Sequence, residues 1–190
     1  MISSTKVGGF DNATLISRLL FFLVLFGLVG FYLILGFKGL TSEKGIEQAQ
    51  IGREIARGNN ATTKVIRGAA VWQAKEAEKD IDLSAFHDTY HSPLNPYIYA
   101  AVLKAVGGDD FEKFQMNEKD EKTVYALDRV ISAVAVILFL IAVGINYLLI
   151  SRIFDVRIAG ATAILMILSD LMWKFTQTGL PQMLMLLLFS

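Results

Sequence analysis

The sequence predicts an all-α membrane protein, with transmembrane helices and an outer loop of short amphipathic interfacial helices between the first and second spans. Three observations carry this expectation. Of the 190 residues, 54% are hydrophobic and the mean hydropathy is +0.48, whereas soluble domains hold about 45–50% apolar residues with glycine included. The excess is gathered into a few long runs. The charged residues collect largely between two of those runs, in residues 38–128. The totals also exclude some chemistry. Eighteen basic residues balance eighteen acidic ones, which gives no basic bias toward nucleic acid. The absence of cysteine excludes disulfide staples, thiol catalysis and cysteine-bound zinc.

Residues 1–14 read as a short cytoplasmic tail. Residues 15–37 read as the first transmembrane helix, since Leu15 to Phe37 is apolar apart from Ser17 and Arg18 at its start, and about 20 such residues cross the hydrocarbon core. No small-residue cleavage site follows, so the run is expected to be retained. Tyr32, Phe37 and Lys38 suit an interfacial anchor. The second span is expected over residues 129–151, around the apolar run Val130–Ile150. The link Ser151–Arg157 permits only an antiparallel hairpin into a third span over residues 158–178. Residues 180–190 begin a fourth helix too short to cross, as in the N-terminal portion of a longer polytopic protein. Lys6, Arg18, Arg152 and Arg157 fall on one side, which the positive-inside rule makes cytoplasmic. Residues 38–128 then become extracytoplasmic.

Within the outer loop, Ile46, Ala49, Ile51, Ile55 and Ala56 form an apolar stripe at helical spacing, and Glu47, Gln48, Gln50, Arg53 and Glu54 are polar. Gly58 supplies the stop. An amphipathic helix directly after a span suits the membrane interface. Val71–Lys79 is helix-prone. Phe86–Pro96 is expected to be irregular because Pro93 and Pro96 oppose helix, and Tyr97–Val106 returns to helical character before Gly107 and Gly108. Asp109–Lys122 is a charged approach to the second span.

The loop also holds most of the residues suited to chemistry. Glu43 and Glu47, four apart, share a face if the helix begins early enough. Either could act as a general base, and helix-dipole stabilisation alone would also explain Glu43. His87 and His91, the two histidines of the chain, stand with Asp88 in an H-D-x-x-H cluster of residue types that ligate a divalent metal. Asp88 could equally cap a turn ahead of the prolines. Asp170 and Lys174, one helical turn apart in the third span, suit either a functional pair or a mutual ion pair.

The stretches Glu47-Gln-Ala-Gln-Ile-Gly-Arg-Glu-Ile-Ala-Arg-Gly58, Thr62-Thr-Lys-Val-Ile-Arg67 and His91-Ser-Pro-Leu-Asn-Pro96, in this order after a first span, resemble the N-terminal region of GT-C glycosyltransferases. The nearest branch is the protein O-mannosyltransferase and lipid A aminoarabinose transferase type. The resemblance implies transfer of a sugar from a polyprenyl-phosphate-linked donor to a lipid, glycan or protein acceptor, on the outer face of a bacterial inner membrane and among membrane lipids. It places the acidic base or acceptor-orienting role on Glu47, with Glu43 as the competing assignment. It sets His91 toward the donor phosphate, and Arg53, Arg57 and Lys174 are further phosphate candidates on charge and position. Ser92 stands where the family carries a first proline, and Gly68 where relatives often have proline after Arg67. No cofactor is implied beyond the metal that His87, Asp88 and His91 could hold. The fragment alone is expected to be inactive. The alternative from another class is a non-catalytic polytopic protein, a sensor or assembly factor with an extracytoplasmic binding loop.

Overall fold

The computed structural model describes residues 12–77, 86–108 and 124–190. Those residues are helical with connecting turns, without a strand, and a single isolated bridge joins Thr62 to His87. The chain divides into two compact units, Met1–Gly36 and Phe37–Ser190.

In the first unit, helix α1 (Asn12–Gly30) runs directly into a π-helical turn, Phe31–Leu35. The Gly36 N–H closes that turn on the Phe31 carbonyl at 2.7 Å. Leu20, Phe22, Leu23, Phe26, Ile34 and Leu35 are all exposed, so apolar side chains face outward around the helix. Leu20–Leu35 is a shorter apolar helix, within the residues 15–37 expected to be helical. Residues 1–11, most of the expected tail, lie outside the described residues.

The second unit is organised on α5 (Ala126–Ile153), a 28-residue apolar helix. Among the described residues it alone is long and apolar enough to cross a membrane by length and composition, with one more if a bent helix pair counts as one span. That pair is α6 (Val156–Leu168) and α7 (Asp170–Thr176), which meet at 58°. The hairpin turn is tight: Asp155 caps α6 by accepting from the Arg157 N–H, and α6 packs back along α5 as the short link requires. The continuous third helix expected over residues 158–178 is not what forms. Ser169, with φ −72° and ψ 107°, breaks the ladder, and the Trp173 indole N–H satisfies the Ile167 carbonyl at 2.6 Å. Trp173 then packs edge-on to Phe139 of α5, ring centroids 5.5 Å apart. Helix α8 (Gln182–Leu188) lies along α5, and Ser190 accepts a hydrogen bond from Asn146 at 2.8 Å.

Among the described residues of the loop, three helices form: α2 (Glu43–Ala56), α3 (Gly68–Glu76) and α4 (Leu94–Gly107). Residues 78–85 and 109–123, which include the end of the expected Val71–Lys79 helix and the charged Asp109–Lys122 approach, lie outside the described residues. Helix α4 begins three residues earlier than its prolines suggest. Pro93 is the N-cap and Pro96 sits in the first turn, where a missing N–H costs nothing because no intrahelical acceptor exists there. The expected stripe on α2 is also corrected. Ala49 and Ile51 are buried but Ile46 is 46% exposed, while Gln48 and Glu54 are buried. The buried face is set by close approach and internal hydrogen bonding. A Cβ on Gly52 would stand 2.9 Å from the Tyr99 Cβ, and Gln48 accepts from Asn95 at 2.7 Å.

These contacts fix the depth of the loop against α5. Phe37, Leu40, Ala49 and Tyr99 pack with Ile131 and Val134, and Leu103 packs with Leu127. At its N-terminal end α2 meets the turn between α7 and α8, where a Cβ on Gly45 would fall 1.8 Å from the Thr178 carbonyl oxygen. The Thr41 N–H donates to the Gln177 carbonyl at 3.0 Å beside it. Helices α2 and α4 therefore lie alongside the first turns of α5.

Candidate functional site: a carboxylate, imidazole and guanidinium cluster

Helix α2 begins at Glu43, so Glu43 and Glu47 do occupy successive turns, yet their surroundings differ. Glu43 is exposed, and no side chain among the described residues pairs with it. The Glu47 side chain is 14% exposed and its Oε2 receives Arg67 Nη2 at 2.5 Å. His91 Nε2 stands 3.2 Å from the same oxygen. The two sequence candidates Glu47 and His91 thus meet, 44 residues apart in the chain.

The loop ahead of α4 aims the imidazole. Asp88 accepts from the Tyr90 N–H at 3.3 Å and from the His91 N–H at 3.0 Å, which folds residues 88–91 into a turn. The same carboxylate takes His91 Nδ1 at 3.1 Å. Asp88 therefore caps the turn, one of the two readings open to it, and also orients the histidine. An ionised carboxylate only accepts, so Nδ1 carries the proton toward Asp88. Nε2 then faces Glu47 and attracts it only when a further proton lies between them. That Nε2 is buried and off the line for a hydrogen bond, and has no bonded partner among the described residues. The resulting order, carboxylate to imidazole to carboxylate, is a proton-relay arrangement whose ring orientation is fixed from one side.

Arg67, in the second matching stretch, completes the cluster. Its guanidinium stacks on the Tyr90 ring at 3.8 Å from the centroid, and Lys44 Nζ stands 5.7 Å from the same ring. Tyr90 itself packs edge-on to His91 at 5.0 Å. Stacking leaves the guanidinium edge free for hydrogen bonds. Arg67 Nε is nevertheless buried and unpartnered among the described residues. Arg67 and Tyr90 were not singled out as site residues from the sequence. The available signals were the position of Arg67 at the end of a matching stretch and of Tyr90 beside the histidine.

The other candidates lie elsewhere. Arg53 pairs with Asp128 at 2.8 Å and stands over the Tyr125 ring at 5.2 Å, tying α2 to the start of α5. Arg57 pairs with Glu54 at 3.0 Å, and Asn59 donates to the same carboxylate at 2.9 Å. Burial pushes the Glu54 carboxyl up, but the Asn59 hydrogen bond and the charges of Lys64 and Arg57 outweigh it and hold it below the usual range. Lys174 pairs with Asp170 at 2.6 Å, both side chains more than half exposed, which is the mutual i,i+4 ion pair. His87 is exposed and bridged through its backbone to Thr62. Among the described residues no three His, Asp or Glu side chains form a group able to hold a metal ion. The H-D-x-x-H spacing puts Asp88 and His91 together and leaves His87 apart.

Comparison with protein-family models, curated proteins and solved structures finds no match for this chain.

Proposed function

We propose that this chain is part of a multi-pass membrane glycosyltransferase. It would move a sugar from a polyprenyl-phosphate-linked donor to an acceptor hydroxyl on the outer face of a bacterial inner membrane. The observation that carries the reading is the convergence of His91 and Arg67 on one carboxylate oxygen of Glu47.

The chemistry asks for these groups. The acceptor hydroxyl attacks the anomeric carbon, a new glycosidic C–O bond forms, and the bond from that carbon to the phosphate oxygen breaks. The phosphate leaves with the bonding pair. The hydroxyl proton passes to the Glu47 carboxylate, and the imidazole that Asp88 holds in place can carry it onward. Negative charge gathers on the leaving phosphate, and fixed cations stabilise it best where water is scarce. Arg53, Arg57 and Lys174 are engaged in other pairs, so Arg67 and Lys44 are the better placed cations.

Transfer of radiolabelled sugar from polyprenyl-phosphate donors, using membranes that hold the full-length protein, tests the reading. Label should appear in acceptor with wild type and not with Glu47→Ala. No transfer with any donor, or unchanged transfer by Glu47→Ala, refutes it. A second reading, a non-catalytic membrane protein with an extracytoplasmic binding loop, draws on one observation: Arg67 already occupies the Glu47 carboxylate, as in a structural ion pair.

A further inference from the structure

The occupied carboxylate has a further meaning, which rests on the phosphate-bearing substrate proposed above. Arg67 spends one of its N–H groups on Glu47, while its Nε–H, which always donates, is buried with no acceptor among the described residues. The imidazole beside it, with its side chain 4% exposed, is likewise unpartnered at Nε2, which donates to an anion when the ring carries its second proton. Buried polar groups are nearly always satisfied. Two unsatisfied nitrogens at one place, with Lys44 and Arg67 both against the Tyr90 ring, describe a site for an acceptor-rich anion that Glu47 fills only in part. A tetrahedral phosphate offers more acceptor oxygens than the single Glu47 Oε2 in contact here.

We propose that Glu47 is an internal competitor for this anion site: its carboxylate takes the position on Arg67 and His91 that a phosphate group takes when bound, so the two exclude each other. While Arg67 holds it, the Oε2 of the carboxylate is engaged and not open to a hydroxyl proton. Arrival of phosphate draws the guanidinium away and frees Glu47 for the acceptor hydroxyl, so donor binds before acceptor activation.

The competition has a sign that a structural ion pair lacks. Full-length protein in phosphatidylcholine nanodiscs is titrated with inorganic phosphate by calorimetry, and its occupancy by polyprenyl monophosphate is counted by native mass spectrometry. Removing the Glu47 charge should tighten phosphate. If the carboxylate holds Arg67 about nine-tenths of the time, Glu47→Gln binds roughly tenfold more tightly than wild type. Glu47→Asp, one methylene shorter, should also tighten, and it serves if the glutamine variant does not fold. Arg67→Ala should abolish binding in either background. Tightening with the lipid alone assigns the site to a lipid headgroup, and tightening with both ligands shows that the phosphate group suffices. Equal or weaker binding by both Glu47 variants overturns the proposal. The readout needs no turnover. Tightening without transfer leaves the inference standing and the transferase reading refuted, and transfer without tightening does the reverse.

Discussion

The docking of α2 on the turn between α7 and α8 can be tested by adding one methyl group. A Cβ on Gly45 would stand 1.8 Å from the Thr178 carbonyl oxygen, 2.8 Å from the Thr178 carbonyl carbon and 3.0 Å from the Gly179 carbonyl carbon. All three are backbone atoms, so no side-chain rotation relieves the contact. The turn has little room to yield. Gly179 is held at φ +71°, with Leu40 Cδ1 and the Gly45 backbone close by, and Gln177 is tied to Thr41. An ordinary contact requires a separation of roughly 1.5 Å more, and overpacking of a filled interface costs about 1–3 kcal/mol, with backbone clashes toward the upper end. For a chain of this size about 3 kcal/mol lowers the unfolding midpoint by roughly 6–12 °C. The same shift moves Glu47, two residues along α2, and misplacement by about 1 Å can reduce a reaction about a hundredfold. Thermal unfolding of Gly45→Ala in nanodiscs, beside its transfer rate, measures both. Gly68→Ala, where a Cβ meets nothing within 4 Å, is the control and should match wild type. A Gly45→Ala protein with wild-type midpoint and transfer would refute the docking and the depth assigned to Glu47.

Other perturbations separate the remaining roles. Asp88→Asn keeps a side-chain oxygen for the turn but loses the charge that orients His91, and transfer should fall about 10²-fold with the unfolding midpoint moved little; an unchanged rate would leave Asp88 a turn cap only. Glu54 lies below its unfolded value in the folded protein, so its contribution is present above about pH 4.3 and lost as pH falls through the lower folded value. Glu54→Gln should therefore cost about 1.5–3 kcal/mol at pH 7, and the gap to wild type should close in acid; a gap constant from pH 7 to pH 2 would contradict the network. A double-mutant cycle on Arg53→Met and Asp128→Asn should give a coupling above about 0.5 kcal/mol if that pair ties α2 to α5. Tyr99, pushed up to about 12 by burial against the opposing Asn95 hydrogen bond, contributes stability that is complete below about pH 10 and lost as pH rises through the folded value. Tyr99→Phe should thus unfold less steeply in alkali than wild type, by circular dichroism.

The sequence made some features legible because they are local. The long apolar run of α5, the hairpin forced by a short link, the Gly58 stop and the helical stretch of α4 each follow from neighbours in the chain. Glu47 and His91 were paired through the resemblance, and their geometric meeting is visible only in three dimensions. What stayed hidden depends on partners distant in sequence. The outward turn of Ile46 follows from Gly45 and Gly52 being pressed against the Thr178 carbonyl and Tyr99, and hydropathy gives glycine no weight in such a choice. The burial of Gln48 depends on Asn95. The break at Ser169 is tolerated because Trp173 satisfies a carbonyl the helix abandons, and nothing near Ser169 in the chain announces it. Arg53 and Arg57 looked like free cations until Asp128 and Glu54 were placed beside them.

Where α2 and α4 sit along α5 bears on what the cluster can reach. A loop lying beyond the end of α5 would put Glu47 in open water. Instead, Leu127, Ile131 and Val134 are covered by α2 and α4, and the exposed apolar face of α5 begins only at Ile137, continuing through Ile141, Ile145, Leu148 and Ile153. Those positions, three to five residues apart, form one stripe about 24 Å long at 1.5 Å per residue. Trp173 meets Phe139 just below the start of that stripe, and the turn following α7 receives the N-terminal end of α2. The Glu47 end of α2 is thus its end nearer the exposed stripe, and the Arg53–Asp128 pair marks its far end. The carboxylate, imidazole and two cations gathered around Glu47 therefore lie toward that end of α2.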